Sequence, residues 1–382
     1  MKFLHLSDLH IGKAVNRFSM IAEQKNAFGQ IIGHIKTENP SAVVIAGDVY
    51  DRAIPSVEAV RLFDDFLTEL ANEDVAVLLI SGNHDSPERL NFASRLLADK
   101  RIYFCGASDG AIRKVAMPDE FGCVNFWLLP FINPIMARGL FGNNETDSYY
   151  DTIKLALDSA DIDFTKRNVL VSHQFFKKAG QEPERSKSEL DPVGGLDAVD
   201  VKLIEAFDYA ALGHLHRNQR IGFEHVRYCG SPIKYSFSEK DHDKSINLVE
   251  LCEKGNLSIK PLPLAPIHDM REIRGELADL ISNETLSLAD RNDYLRVVLT
   301  DEVEIIDPMG KLRGVYPNIM ELGFDNSRTR IENADIAADI SSARNLSPYD
   351  LFAQFFLESQ GQTMNPEQAE IVRDLLERQG DE

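Results

Sequence analysis

Eight residues able to bind a metal ion stand where short apolar runs end: Asp8, His10, Asp48, Asn83, His84, His173, His214 and His216. The runs before them, Phe3 to Leu6, Ala42 to Ala46, Val75 to Ile80, Val169 to Val171 and Tyr209 to Leu212, have the length and composition of buried strands. One polar residue at a strand end is commonplace, because strands finish in polar loops; five such ends are not. The donors are carboxylate, carboxamide and imidazole without thiolate, a set that suits borderline divalent ions such as Mn²⁺, Fe²⁺ or Zn²⁺. In open sheets covered by helices, functional groups collect beyond the carboxyl ends of the strands, so these residues are expected to converge. Asp8 and His10 are two apart and on extended backbone point the same way, as do His214 and His216. A carboxylate such as Asp48 can bridge two cations, and Asn83 adds a neutral oxygen where negative charge must be limited. Two ions held in this way bind phosphate oxygens and activate a water for in-line attack.

The elements that must position these residues follow from the rest of the pattern. Residues 1 to about 262 alternate apolar runs with helical spacing, which predicts an α/β layered domain. Met20, Ile21, Gln24, Ala27, Phe28, Ile31, Ile32 and Ile35 predict a helix packed on the sheet, and Pro55-Ser56 an N-cap for a second helix carrying Val60, Phe63, Leu67 and Leu70. A third is expected from about Pro87 to Ala98, with Leu90, Ala93, Leu96 and Leu97. These apolar faces either pack on the core or are shared with a second copy of the chain. Leu262-Pro263-Leu264-Ala265-Pro266 reads as a linker, and residues 267–325 as a small α+β module without a catalytic cluster. Its expected strands are Met270 to Ile273, Tyr294 to Leu299 and Ile319 to Phe324, with helices near Glu276 to Ile281 and Pro308 to Val315. Residues 326–345 are polar and read as a tether. Beyond it, Ser347-Pro348 and Asn365-Pro366 are helix-start signals for two amphipathic helices, with Leu351, Phe352, Phe355 and Phe356 on one and Ile371, Val372, Leu375 and Leu376 on the other. They either fold back on the main domain or dock on another protein in a groove.

Composition narrows the partners. The 382 residues are enough for two domains with appendages, and 43% are apolar. No stretch approaches the roughly 20 apolar residues that cross a bilayer, and the first residues enter a strand directly, so a cytoplasmic location is expected. Cys105, Cys123, Cys229 and Cys252 lack a Cys-x-x-Cys spacing and read as thiols in a reducing compartment. The net charge of −20 is unlike that of a stand-alone nucleic-acid binder, and residues 271–382 carry 23 Asp/Glu against 11 Lys/Arg. By itself the charge favours a small-molecule or protein substrate, or a basic partner that supplies the grip on nucleic acid. Nothing matches a P-loop, so ATP is not expected to bind through one, and Gly194-Gly195 reads as a turn. His5 alternates away from Asp8 within its strand, and His5, His34, His225, His242 and His268 read as structural or solvated.

Asp8-Leu9-His10, Gly47-Asp48 with Asp51-Arg52, Gly82-Asn83-His84-Asp85, Ser172-His173 and Gly213-His214-Leu215-His216 resemble, in order, the five blocks of the calcineurin-like metallophosphoesterases. Ser7 to Gly12, His173-Gln174-Phe175-Phe176 and above all Tyr228 to Glu239 are similar to the nuclease branch of that superfamily, the SbcCD-type nucleases, and the likeness spans nearly the whole chain. The resemblance implies a layered β-sandwich flanked by helices over residues 1–262, a small α+β capping domain over 267–325, the tether, and partner-binding helices over 346–382. It implies Asp8, His10 and His216 on one metal, Asn83, His173 and His214 on the other, Asp48 bridging, and Mn²⁺ as the activating ion. His84 would stabilise the phosphate charge or protonate the leaving oxygen, with Asp51 as a candidate to orient it; Asp51 reads equally as a helix-entry residue paired with Arg52. It implies DNA as substrate, a coiled-coil ATPase of the SbcC type as partner, and a homodimer formed through the helices near Val57 to Leu70 and Pro87 to Leu97. A phosphatase or small-molecule phosphodiesterase would use the same seven ligands. Lys13, Arg17, Arg217 and Lys234 lie near the motifs as candidates to track a nucleic acid.

Overall fold

The structure, a computed structural model, describes residues 1–106, 112–142, 147–189, 198–282, 291–327, 329, 348–360 and 363–372. Gly194-Gly195, most of the tether, and Leu375 and Leu376 lie outside the described residues. The chain divides into two compact units: Met1–Glu272 with Asp290–Arg296 and Tyr316–Glu321, and Ile273–Ala289 with Val297–Val315 and Leu322–Glu382.

The first unit is built on two six-stranded sheets. One has the order Leu257–Pro263, Ser245–Leu251, Lys2–Leu6, Ala42–Ala46, Ala76–Ile80, Ile102–Cys105, the last four parallel. The other has the order Gln219–Ile221, Phe223–Tyr228, Tyr209–Leu212, Arg167–Ser172, Gly122–Leu129, Arg113–Asp119, with four parallel strands at its centre. Ala42–Ala46 and Ala76–Ile80 are buried at every residue, as strands covered on both faces must be.

Alternation sorts the side chains into layers. Phe3, Val44 and Leu78 from one sheet meet Phe126, Val171 and Tyr209 from the other in the middle of the sandwich. Phe3 stands edge-on to Phe126 at 5.3 Å between centroids. On the outer face of the first sheet, Leu4, Val43 and Ile45 pack against Phe28 and Ile31 of helix Ile21–Glu38 and Phe63 of helix Val57–Asn72. Ser56 caps the second of these helices, accepting from Ala59 N. On the outer face of the second sheet, Leu170 and Ala210 meet Ile153 and Ala156 of helix Tyr149–Asp158. His5 lies in the middle layer, with Nδ1 2.9 Å from the Tyr209 hydroxyl, and burial holds its pKa down at about 3. His34, His225 and His268 bond to Pro263 O, Glu205 O and Glu23 in turn.

Two expectations need correction. The third helix is broken: Pro87–Leu90 and Ser94–Leu97 are separate short helices, because Ala93 takes a left-handed φ of +61° between them. This turns Phe92 and Leu96 out to solvent. Leu262 to Pro266 is not a free linker. Pro261 and Pro263 sit on an edge strand, where a missing N–H costs no ladder bond. Leu262 and Leu264 are buried in the core, and the buried Glu23 accepts from the N–H groups of Ile267 and His268.

Of the later elements, the strands are Met270–Gly275, Tyr294–Leu299 and Ile319–Phe324, paired in that order, and the helices Leu277–Leu280 and Pro308–Arg313. A helix at Pro348–Gln360 leaves Phe352, Phe355 and Leu357 exposed. Residues 366–372 are helical after an Asn365 cap that accepts from Gln368 N. No helix among the described residues is long and apolar enough to cross a membrane.

Phe126 holds the middle layer, so Phe126→Ala should lower the free energy of unfolding by about 3–5 kcal/mol, read from urea melts.

Candidate metal centre

The seven candidate donors converge at the carboxyl ends of the parallel strands of both sheets, and they fall into two groups. Asp8, His10 and His216 offer ligand atoms within 4.8 Å of one another. His10 Nε2 and His216 Nε2 stand 3.1 Å apart. In the second group, Asn83 Oδ1 lies 3.1 Å from His173 Nε2 and 3.2 Å from His214 Nδ1. Asp48 sits between the groups, its Oδ2 3.5 Å from His10 Nε2 and 3.3 Å from His173 Nε2. Asp8 ties the two sheets together, accepting from His214 N at 3.0 and 3.1 Å.

The local backbone reaches this arrangement differently from the extended conformation expected. Asp8, His10, Asp48 and His214 have φ of 53°, 41°, 50° and 99°, so each pair of donors is gathered by left-handed turns and not by the pleat of a strand. Asp8 N and His10 N donate to Gly47 O and Asp48 O, which lays the two ligand loops side by side. Glycines let them close: a methyl on Gly82 would overlap the Asp48 carboxylate, and one on Gly47 the His173 ring. Asp85 then joins the Asp48 loop to the loop carrying Asn83, accepting from Val49 N at 3.1 Å, Tyr50 N at 2.9 Å and Gly82 N at 2.9 Å. Burial, with the Asp48 charge, pushes its pKa up to about 6.

Fixed acceptors assign the imidazole protons. His173 Nδ1 meets Ala46 O at 2.7 Å and His84 Nδ1 meets Asp51 O at 3.0 Å. A carbonyl only accepts, so both rings carry hydrogen on Nδ1 and neutral rings present a lone pair at Nε2. For His173 that lone pair faces two oxygen acceptors, Asn83 Oδ1 and Asp48 Oδ2, an arrangement that calls for a cation between them. The surroundings of His173 favour positive charge: burial works against it, but the Asp48 carboxylate and its hydrogen bond outweigh burial and raise the pKa to about 9, so Nε2 holds a proton unless a metal cation takes its place. Burial keeps His10 well below its ordinary value and His214 down at about 3, leaving both rings neutral as metal ligation requires. The donor set and its geometry thus fit a pair of divalent ions.

His84 is half-buried, donates its backbone N–H to Asp48 Oδ1 at 2.9 Å, and places Nε2 4.0 Å from Asp48 Oδ2. Its contact with Asp51 is to the carbonyl; the Asp51 carboxylate pairs with Lys13 Nζ at 2.8 Å and lies 3.6 Å from the exposed Arg52. Arg217 and Lys234 pair with Glu184 and Asp269. Sequence reasoning missed several supporting residues. Gln24, counted on an apolar helix face, donates its two amide hydrogens to His10 O and the Tyr235 hydroxyl, which in turn donates to Leu9 O. Tyr235 lies edge-on to both His10 and His216. Asp85 and Glu239 fall inside the motifs, but their letters alone suggested no role.

A family model described as calcineurin-like phosphoesterase matches residues 1–218, and one described as type 5 capsule protein repressor C-terminal domain matches 266–360. The SbcD subunit of the nuclease SbcCD of Staphylococcus epidermidis is 32% identical over 333 residues, 86% of this chain and 87% of that protein. The chain belongs to the SbcD family of calcineurin-like phosphoesterases. Among solved structures, a dimetal phosphatase from Danio rerio is 11% identical, covering 68% of this chain and 95% of its own with a TM-score of 0.39. Phosphopantetheinyl hydrolase from Mycobacterium tuberculosis is 12% identical over the same shares, also with a TM-score of 0.39. The phosphoesterase is an enzyme dependent on divalent metal ions, and its fold is of the mixed α/β metallophosphoesterase class.

Asp85→Asn would turn one acceptor oxygen into a donor facing a backbone N–H. Unfolding free energy should fall by about 1–3 kcal/mol, and Mn²⁺ titration should show weakened binding.

Proposed function

We propose that this phosphoesterase is a Mn²⁺-dependent DNA nuclease, both exonuclease and endonuclease, that processes DNA ends and hairpins in a complex with a coiled-coil ATPase of the SbcC type. The observation that carries the hydrolytic part is Asp48 Oδ2 placed within 3.5 Å of imidazoles from both donor groups, where one carboxylate can serve two ions. Asp8, His10 and His216 would hold one ion and Asn83, His173 and His214 the other, with Asp48 within reach of both. When bound, such ions would supply Lewis acidity toward a phosphate and an activated water. The chain's own residues do the rest. The Nδ1–H of His84, held by Asp51 O, fixes the ring so that Nε2 faces the site, where the ring in its imidazolium form offers the Nε2 proton to the leaving oxygen or a hydrogen bond to the phosphate. The Asp51 carboxylate holds Lys13 beside the site, a position from which that ammonium can meet a nucleic-acid phosphate.

Support for a nuclease over a phosphatase comes from the reach of the likeness. It extends beyond the phosphoesterase region to residues 266–360, which hydrolysis of a small ester does not need. The helix Pro348–Gln360, with Phe352 and Phe355 exposed, suits docking on the ATPase, which would also supply the grip on DNA that a chain of net charge −20 lacks. Ile54, Val57, Val60, Phe92 and Leu96 are exposed apolar residues on and around the helices Val57–Asn72, Pro87–Leu90 and Ser94–Leu97, which supports the use of these helices as a homodimer contact. The four cysteines are free, in keeping with the reducing cytoplasm.

Linear DNA should be cleaved with Mn²⁺ and spared in EDTA. His84→Ala should slow cleavage by about 10²–10⁴-fold while Mn²⁺ binding persists; brisk phosphomonoester turnover without DNA cleavage would overturn the nuclease reading. Deleting residues 346–382 should abolish capture by the ATPase and leave Mn²⁺-dependent cleavage intact, and light scattering should find the isolated chain dimeric; unchanged capture or a monomer would each remove the corresponding contact.

A further inference from the structure

The segment Tyr228 to Glu239 ends on a carboxylate with no exposure at all, and that carboxylate stands behind a candidate ligand. Glu239 Oε2 accepts from Lys244 Nζ at 2.6 Å, and Lys244, itself buried, also donates to His216 O and Ser231 Oγ at 2.8 Å each. Glu239 Oε1 accepts from Ser188 Oγ at 2.6 Å and lies 3.3 Å from His216 Nδ1. Ser186 Oγ also donates to Glu239 Oε1, at 2.9 Å, and meets Ser188 Oγ. A carboxylate oxygen only accepts, so the Glu239 Oε1 facing His216 Nδ1 favours hydrogen on that nitrogen, which then also donates to Ser188 Oγ, 2.8 Å away. The order of donation runs from imidazole to hydroxyl to carboxylate, with the ammonium closing it.

A buried ion pair is a poor means of stabilising a fold, since desolvation offsets most of its attraction. Apolar residues of the same size would pack as well. What they could not do is hold a proton on Nδ1 of His216. That proton leaves Nε2 bare, and Nε2 is the atom facing His10 Nε2 at 3.1 Å. The main chain makes the same connection: Ser231 N donates to His216 O, and Gly230 packs so closely on the His216 to Asn218 backbone that a side chain there would collide with it.

We propose that Glu239 is a positioning residue of the metal centre, fixing the tautomer and orientation of His216 through Ser188, with Lys244 as its counter-ion. The proposal rests on the reading of His216 as a metal ligand. A carboxylate behind a ligating imidazole raises its basicity, and its loss typically costs about 10–100-fold in metal affinity.

The test is calorimetric titration of Mn²⁺ into the metal-stripped full-length chain, with the His216 tautomer read by nitrogen-15 NMR. Glu239→Gln combined with Lys244→Met removes both charges, so no unpaired charge is left buried. It should weaken one of two classes of ion by about 10–100-fold, leave the other unchanged and release His216 from the Nδ1–H tautomer. Both classes at wild-type affinity, or both weakened alike, would overturn the proposal. Should that variant not fold, Ser188→Ala, which leaves the ion pair in place, decides: a several-fold loss confined to one class supports the proposal and unchanged binding defeats it. A wild-type chain that binds no pair of ions would remove the two-ion reading itself, an outcome separate from failure of the variants.

Discussion

Burial of the Asp48 carboxylate between imidazoles of different origin is the constraint on which the centre depends. An isolated carboxylate taken out of water is costly, and it persists only where partners meet every lone pair. His10 comes from the loop after the first strand and His173 from the second sheet, with the His84 backbone N–H as a further donor. Burial opposes the charge on Asp48, but His173 and the other imidazoles outweigh it and hold the carboxyl well below its ordinary range. Because these partners belong to both sheets, the sandwich must close in register for the charge to be tolerated. Fold and site are therefore mutually dependent: the aromatic layer of Phe3, Phe126 and Tyr209 brings the strand ends together, and the polar cluster beyond it admits few other registers.

The same cluster concentrates backbone strain. Asp8, His10, Asp48 and His214 all hold positive φ, a conformation that costs about 1 kcal/mol or more for residues with a β-carbon. Such strain persists where surrounding contacts over-determine it, as the Asp85 carboxylate and the paired loops do here. Any cation that binds the folded centre and not the unfolded chain adds to stability by mass action. Metal occupancy and fold stability are consequently linked, and conditions that strip the ions also weaken the fold.

Much of this was legible in the residues and some was not. The five strands and two long helices are plain in the alternation of apolar residues, and the donor types announce divalent metal. Convergence from extended strand ends was the right outcome by the wrong route, because φ at Asp8 or His214 is set by hydrogen bonds to loops far away in the chain. The break at Ala93 was hidden for a related reason: alanine is the best helix former, and only tertiary packing overrides that propensity. Glu239 and Asp85 were visible as letters in motifs, yet their roles depend on partners brought close only by folding. For Asp51 the group that meets His84 is the main-chain carbonyl, which any residue type would have supplied.

Asp85 has a further consequence. Its two oxygens hold Val49, Tyr50 and Gly82, so the loop carrying the shared carboxylate and the loop carrying Asn83 are riveted to one rigid post. The spacing between the Asp48 and Asn83 loops is then gauged by main chain and not by side-chain rotamers. A cation between those loops would meet a carboxylate and an amide oxygen whose loops the main chain has already set side by side, so a change of its radius would be felt first at Asp85.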